Sequence, residues 1–454
     1  MSSIGEASAA DHLAKLRAQG VDTLVIGAAD VNGIFRAKRF SLELLCREDV
    51  SIAISEYVFA TDLHDAMIRP GPDYSGYFPT ESLGLPDLYI RPDWTRVSVL
   101  PWDTRTAVVV GDYYTHGGDE VAVSPRGILK RVIRRLASMG VHPMAGCEFE
   151  FFILRGRPDE IRASGAAPVP LSAGPSYHYG RGASDERLIG SVRRNLEKAG
   201  IPVEAANPEA APGQSEITIR YADALAAADF AFLYKQFVSE LLEREGMTST
   251  FIAKLAKNGY GSSGHIHISL QGSDGKSLMI DDAGAVSDIA HLAVGGFLET
   301  LPELTALYAP NINSYRRYQT PYGLAGDAIA WGLDNRTCAV RFIHEGASGT
   351  RFESRTPGAD MNPYLALAAA LAGVGYGIEQ RVTPPPQVVG DAYREPAVQR
   401  VPDGLDVATE LLKGSAVAKD WLGDEFVNFY AETRAWESEQ HRAAITDWEL
   451  QRYL

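Results

Sequence analysis

Three short stretches of this chain place ionisable side chains on alternate residues inside apolar runs: Glu148-Phe149-Glu150, His265-Ile266-His267 and Glu353-Ser354-Arg355. In an extended strand residues i and i+2 share a face, so each stretch aims two polar groups at one place. A lone E-x-E is more often a solvated strand face, and a lone H-x-H is more often satisfied by backbone. Here Cys147, Phe149, Phe151, Phe152 and Ile153 surround the glutamates and mark a mostly buried strand. Paired buried carboxylates are unfavourable by several kcal/mol unless cations share the site. Three such pairs point to a metal-and-anion cavity built on a sheet.

Composition sets outer limits. At 454 residues the chain is long enough for two or three domains, and its 45% hydrophobic and 22% charged residues are those of an ordinary globular protein. A formal net charge of −15 argues against a nucleic-acid or anionic-membrane partner. A polyanion such as ATP then needs a local cluster of arginine, lysine or metal. Cys46, Cys147 and Cys338 have no metal-ligand spacing and suit a reducing compartment. Met1–Asp11 lacks a basic-then-apolar leader pattern and no run reaches membrane-span length, so a cytoplasmic location is expected.

Along the chain, residues up to about 115 read as a small α+β unit. A helix is expected over Ala7–Gln19, then strands Thr23–Ala28 and Ile34–Phe40 joined at Asn32-Gly33, where both turn residues should take positive φ. Leu63–Pro86 reads as a long loop, and Arg96–Leu100 and Thr106–Asp112 as strands. A helix opens at Ser124-Pro125 and stops at Gly140. Strand Met144–Leu154, a loop from Arg155 to Pro175, a helix near Asp185–Ala199, strand Ser215–Tyr221 and helices Ala222–Glu245 and Met361–Gln380 follow, with a helical tail from Val407.

The segment Glu209-Ala-Ala-Pro-Gly-Gln214-Ser-Glu216 adds two more carboxylates. Glutamates with an occasional histidine suit Mg²⁺ or Mn²⁺ better than Zn²⁺. Downstream, Arg316, Arg317, Arg336, Arg341, Arg351 and Arg355 face few acids of their own: Asp327, Asp334, Glu345 and Glu353. Arginine in excess beside a metal site suits phosphoryl transfer, which proceeds by positioning and charge neutralisation. The residues alone therefore reach an enzyme that uses a metal–nucleotide and a carboxylate.

The set Glu148-x-Glu150, Glu209-x6-Glu216, Gly261-Ser-Ser-Gly264-His265-x-His267, Asn335-Arg336 with Arg341, and Glu353-x-Arg355-x-Pro357 followed by Asn362-Pro363-Tyr364 resembles glutamine synthetase of the bacterial class. The likeness runs from Asn32-Gly33 to Tyr364. It implies an α+β fold: a small N-terminal β-grasp domain, 1–118, and a catalytic domain, 119–454, with an antiparallel, partly closed sheet flanked by helices. It also implies a homododecamer of two stacked hexamers. By resemblance Glu150, Glu209 and Glu216 hold one metal, and Glu148, His265 and Glu353 hold the metal on the ATP phosphates. Arg336, Arg341 and Arg351 face the phosphates, Arg336 nearest the transferred group, and Tyr221, His267 and Ser269 match nucleotide contacts. Arg317 and Arg355 grip glutamate carboxylates, with Gly261 at its amino end.

Departures from the family pattern bear on the nucleophile. Family members that use ammonia carry a loop glutamate before the Asn-Arg motif; this chain has Tyr322-Gly323-Leu324-Ala325 there, and no carboxylate between Arg317 and Asp327. Tyr260 stands where an asparagine is usual. The aspartate that a neighbouring subunit contributes to the ammonium pocket aligns with Glu56. The expectation is an ATP-dependent ligase forming γ-glutamyl amides of organic amines, similar to the ligases of polyamine, ethanolamine, alkylamine or aniline catabolism, with Leu324 favouring an uncharged amine. The alternatives are a glutamine synthetase in which Asp327 swings into place, and an inactive structural or regulatory member.

Overall fold

The computed structural model describes residues 8–47, 50–320 and 323–454. In the N-terminal unit helix α1 (Ala9–Ala18) is capped by Ser8, whose hydroxyl accepts from the Asp11 amide; Ala7, the expected first helical residue, lies outside the described residues. Strands β1 (Thr23–Ala29) and β2 (Phe35–Ser41) pair antiparallel. Their connection differs from the two-residue turn expected at Asn32-Gly33. Gly33 N donates to Asp30 O and Asp30 N to Ile34 O, so Val31-Asn32-Gly33 forms the loop, and only Gly33 has positive φ, at 77°. Asp30 Oδ1 selects this form by accepting from the Asn32 and Ile34 amides, each at 2.9 Å.

Helix α2 (Leu42–Arg47) leads to β3 (Ala53–Ser55), β4 (Asp87–Leu100) and β5 (Asp103–Tyr114). The five strands are ordered β2-β1-β5-β4-β3, and only the β1–β5 pair is parallel.

The larger sheet is organised around β6 (His142–Arg155). Strands β7 (Val203–Pro208), β8 (Gln214–Ile219), β9 (Ala222–Asp223), β10 (Met247–Thr250) and β11 (Gly264–Gln271) precede β12 (Trp331–Leu333), β13 (Val340–Ile343) and β14 (Arg351–Ser354). The order is β12-β13-β14-β11-β6-β8-β7, with β9 and β10 also paired to β6. Every pairing is antiparallel except β12–β13 at the edge, so the sheet is mixed and its strand order is an open path.

Helices α3 (Pro125–Ser138), α4 (Pro158–Ser164), α5 (Tyr179–Lys198) and α6 (Ala224–Arg244) alternate with these strands. Then come α7 (Asp288–Tyr308), α8 (Ile312–Tyr318), α9 (Gly346–Gly349), α10 (Pro363–Gln380) and a C-terminal run, α11 to α14, over Leu405–Gly414, Ala416–Leu422, Asp424–Ala443 and Asp447–Tyr453. Helix α4 occupies part of the expected 155–175 loop. Helix α5 begins six residues before the expected Asp185, because Gly180 and Gly182 in its first turn weaken the helical signal. Helix α7 was not foreseen: it is buried nearly all round and carries Pro302, so it shows no amphipathic stripe. It lies close against α10, where a Cβ on Gly296 would come within 2.3 Å of Gly377 Cα.

One guanidinium joins the two sheets' layers. Arg126 on α3, 2% exposed, bonds Asp93 of β4 at 2.6 Å, Asp112 of β5 at 3.0 Å and Asp229 of α6 at 2.8 Å. Tyr364 on α10 adds a bond from its hydroxyl to Asp229 at 2.8 Å. The β1–β2 loop is held by the larger unit too: Asn362 Nδ2 donates to Asp30 O at 3.0 Å and Arg434 to Asn32 Oδ1 at 2.6 Å. Replacing one partner of a buried ionic cluster strands the others, so Arg126→Ala is expected to lose about 3–5 kcal/mol of stability. The measurement is a fall in the urea unfolding midpoint at constant slope; an unchanged midpoint would refute the role given to this cluster.

Candidate active site

Strand register lines the polar pairs up across one face of the larger sheet. Glu150 is opposite Glu216, Glu148 opposite His265, His267 opposite Glu353, and Glu353 opposite Arg341. Alternation keeps each pair on the same face while Phe149, Ile266 and Phe352 point into the core, each fully buried. Above this row is a cavity of about 520 Å³. Glu148, Glu150, Glu209, Glu216, His265 and Glu353, the six expected metal ligands, all line it, with Arg336, Arg341, Arg355, Gly261, Tyr260 and Leu324.

Along this face His265 Nδ1 lies 3.0 Å from Glu148 Oε1 and 3.4 Å from Glu353 Oε1, and His267 Nε2 lies 3.3 Å from Glu148 Oε2. His267, expected on the nucleotide, thus shares the acids of His265: donor atoms of Glu148, His267 and Glu353 fall within 4.8 Å of one another. His265 Nε2 is buried without a hydrogen-bond partner among the described residues. Burial, and then Arg355, hold its imidazole below the ordinary range, in the neutral form that ligates metals.

The acids divide into two groups. Burial opposes ionisation of Glu353, but Arg355 and the two histidines overcome it and bring the carboxyl to about 2. Glu148 is likewise held well below the ordinary range, with hydrogen bonds from both histidines outweighing burial. On the other side burial and Glu209 push Glu150 up to about 8, and burial with Glu148 and Glu150 pushes Glu216 up to about 10. Burial raises Glu209 too. These three acids have too few cations of their own; with mostly oxygen donors and one imidazole close by, the donor set fits a hard divalent ion.

Arginine supplies the opposite charge. Arg336 is exposed at the cavity wall and forms no ion pair among the described residues. Arg341 is partly engaged, with Asp334 at 2.8 Å and Glu353 at 3.0 Å. Arg355 bonds Glu353 closely, and its buried Nε has no hydrogen-bond partner among the described residues. Arg317 departs from its expected role as a substrate grip. It is 2% exposed and spends its donors on Thr356 O, Arg355 O and Ser263 Oγ, at 2.8, 2.8 and 2.9 Å, so it braces the floor beneath the cavity.

Tyr221, His267, Ser269 and Arg351 do not line the cavity. By strand alternation His267 and Ser269 continue the face beyond His265. Arg351 Nε reaches His267 Nδ1 at 3.4 Å, and the Tyr221 backbone packs over Gly146, the register partner of His267. Glu56 lies elsewhere, buried in the turn after β3, with Tyr77 Oη donating to it at 3.4 Å; the resemblance assigned it to a neighbouring subunit's site. In the loop before Asn335-Arg336, Tyr322 is outside the described residues, whereas Leu324 is 38% exposed with φ of 49°. Asp327 is not among the residues that line the cavity and is bonded to Arg400 at 3.2 Å.

Sequence reasoning missed Tyr177, Ser263 and Gln214. Gln214 Nε2 donates to Glu150 at 3.0 Å and to Gly261 O at 2.9 Å, and the Ser263 amide donates to Glu150 at 2.9 Å. Gln214 stood inside the quoted Glu209–Glu216 motif and was legible there. Tyr177 follows a loop without any motif, and only the fold brings it to the wall.

Residues 122–453 match the family described as glutamine synthetase, catalytic domain. The chain is 36% identical over 443 residues to the glutamate–isopropylamine ligase of a Pseudomonas species, across 96% of this chain and 95% of that protein. It is 37% identical over 444 residues to the γ-glutamylethanolamide synthetase GlnA4 of Streptomyces coelicolor, across 97% and 94%. A solved GmaS/ADP complex superimposes with a TM-score of 0.84 at 26% identity, covering 98% of this chain and 99% of that one.

Near pH 7 the raised values mean that Glu150 and Glu216 carry protons when no divalent ion is present. A cation binds the ionised forms, so Mn²⁺ titration of chelator-treated protein should release roughly one to two protons per chain, seen by calorimetry in buffers of different ionisation enthalpy. A carboxyl raised above its ordinary 4.5 in the native state binds more protons folded than unfolded. The stability these two carboxyls contribute to the cation-free protein therefore falls as pH rises from about 4.5 through about 8 and on toward 10, and Mn²⁺ reverses the fall. Metal binding without proton release would show that these acids are already ionised.

Proposed function

The chain belongs to the glutamine synthetase family, and from that premise we propose that it is an ATP-dependent carbon–nitrogen ligase forming a γ-glutamyl amide from glutamate and an organic amine. The observation that carries the reading is a contrast within one cavity. Its acid–histidine row and free Arg336 suit a metal–nucleotide, while the wall at Gly323-Leu324 offers no carboxylate to attract ammonium. Asp327, the first acid after Arg317 in the chain, is tied to Arg400, which counts against ordinary glutamine synthesis. The two relatives named for organic amines support the same choice.

A carboxylate resists attack by an amine because oxide is a poor leaving group. In the first step a γ-carboxylate oxygen attacks the γ-phosphorus of ATP, and ADP leaves, giving γ-glutamyl phosphate. The amine lone pair then attacks the acyl carbon, inorganic phosphate departs and the nitrogen gives up a proton. Arg336 faces the transferred phosphoryl group, where a guanidinium with no ion pair among the described residues stabilises spreading charge. Arg341 and Arg351 neutralise the remaining phosphates, with Tyr221, His267 and Ser269 toward the nucleoside. Arg355 and Gly261 hold glutamate, and Arg317 keeps Arg355 and Ser263 in place beneath it. Glu150, Glu209 and Glu216, and Glu148, His265 and Glu353, would hold Mg²⁺ or Mn²⁺, two or more per site, whose charge offsets that of the phosphates. Tyr260 and Leu324 border the entering amine, with Glu56 contributed by a neighbouring subunit.

The same reading includes a β-grasp domain at 1–118, a catalytic domain at 119–454, two stacked hexamers and a cytoplasmic enzyme. The family match beginning at residue 122 supports the boundary. Among the described residues no helix is long and apolar enough to cross a membrane.

With ATP, Mg²⁺ and glutamate, phosphate release should be faster with alkyl or aryl amines than with ammonia; ammonia as the best nucleophile by a wide margin would overturn the reading. Leu324→Glu should raise kcat/KM for ammonia by about tenfold, the worth of one charge-assisted hydrogen bond. An unchanged value would mean that this loop does not select the nucleophile.

A further inference from the structure

A second cleft shares a wall with the catalytic cavity. It lies between α5 and β7, has a volume of about 510 Å³, and is lined by Gly182, Ala183, Ile189, Ala206, Pro208 and the ring of Tyr177. Tyr177 also lines the carboxylate cavity. Its backbone is held at φ of 55° by a bond from its amide to Pro208 O at 3.0 Å, an unusual conformation for an aromatic residue and one that stands the side chain between the two spaces. Burial and then Glu209, Glu216 and Glu148 raise its phenol, which places the hydroxyl in the field of those acids. Asn207 makes the second link: it lines the cleft, and its Nδ2 donates to Glu209 Oε1 at 2.8 Å.

Resting on the reading above, we propose that this cleft holds the carbon body of the amine substrate, with the nitrogen presented past Tyr177 to the acyl centre, and that the preferred body is an uncharged alkyl or aryl group. Size supports a body larger than two or three carbons. A dry cavity of about 150 Å³ takes one benzene ring, so this cleft has room for a phenylalkyl group. Charge supports an uncharged one, because the two acids at the cleft are already compensated. Glu186 pairs with Arg193 at 2.7 Å, and Asp185 accepts from Ser172 at 2.7 Å and lies in the field of Arg181. A second ammonium, as in a polyamine, would find there only carboxylates already engaged by an arginine or a hydroxyl donor.

Gly182 allows a clean test. It is helical, and a Cβ there meets only Pro208 Cδ, at 3.8 Å, so a larger side chain fills the cleft without forcing the backbone. The wild-type protein and the Gly182→Phe and Gly182→Ala variants are assayed with ATP, Mg²⁺, glutamate and three nucleophiles: phenethylamine, putrescine and hydroxylamine. The wild type should favour phenethylamine over putrescine. Gly182→Phe should lower kcat/KM for phenethylamine by about tenfold or more, mainly through KM. Hydroxylamine, which has no carbon body, should keep its rate in that variant, and Gly182→Ala should stay near wild type for all three. Equal losses for phenethylamine and hydroxylamine, or no loss for either, would overturn the assignment while leaving amide synthesis intact. A wild type that uses hydroxylamine but neither organic amine would overturn the broader reading together with this one.

Discussion

Like charges gathered on one sheet face are the constraint on which the rest of this structure depends. Register brings Glu148, Glu150, Glu216 and Glu353 side by side, and β6, β8, β11 and β14 cannot slip by one residue without turning those groups into the core. Such a face is tolerable only where positive charge or protons relieve it. On the β14 side Arg355, Arg341 and the two histidines do so, and the acids stay ionised. On the β8 side no ion pair among the described residues does so, and the carboxyls hold protons instead. The two flanks of one sheet face therefore differ in charge state.

The surrounding structure serves to keep that face rigid and to choose what approaches it. Arg317 beneath the cavity and Gln214 in its wall bond to the backbone or side chains of groups that line it. The polar network around Arg126 and Asp229 clamps the smaller sheet against helices that pack below the larger one. The segments that border the cavity from outside the sheet are the loop at Gly323-Leu324, Tyr260, and the Tyr177 wall with its adjoining cleft.

Parts of the site were legible because their spacing repeats that of the strand. E-x-E, H-x-H and E-x-R each announce a shared face, and the Ser124-Pro125 start and the Ala-rich stretches announced α3, α6 and α10. The β1–β2 loop was legible only in outline: Asn32-Gly33 marked a hairpin, but the buried Asp30 carboxylate chose a three-residue loop over a two-residue turn. Helix α7 escaped notice because a helix buried on all sides has no polar stripe to reveal its period.

By itself the sequence determined the ligand types, their pairing on strands and the absence of a carboxylate before Asp327, since these depend on residue identity and local period. Only the tertiary structure decided that Arg317 is a buried brace, that Asp327 belongs to Arg400, and that Tyr177 divides two cavities. Those outcomes follow from which distant segment reaches a donor or acceptor first. Competition among segments far apart in the chain leaves no trace in local spacing.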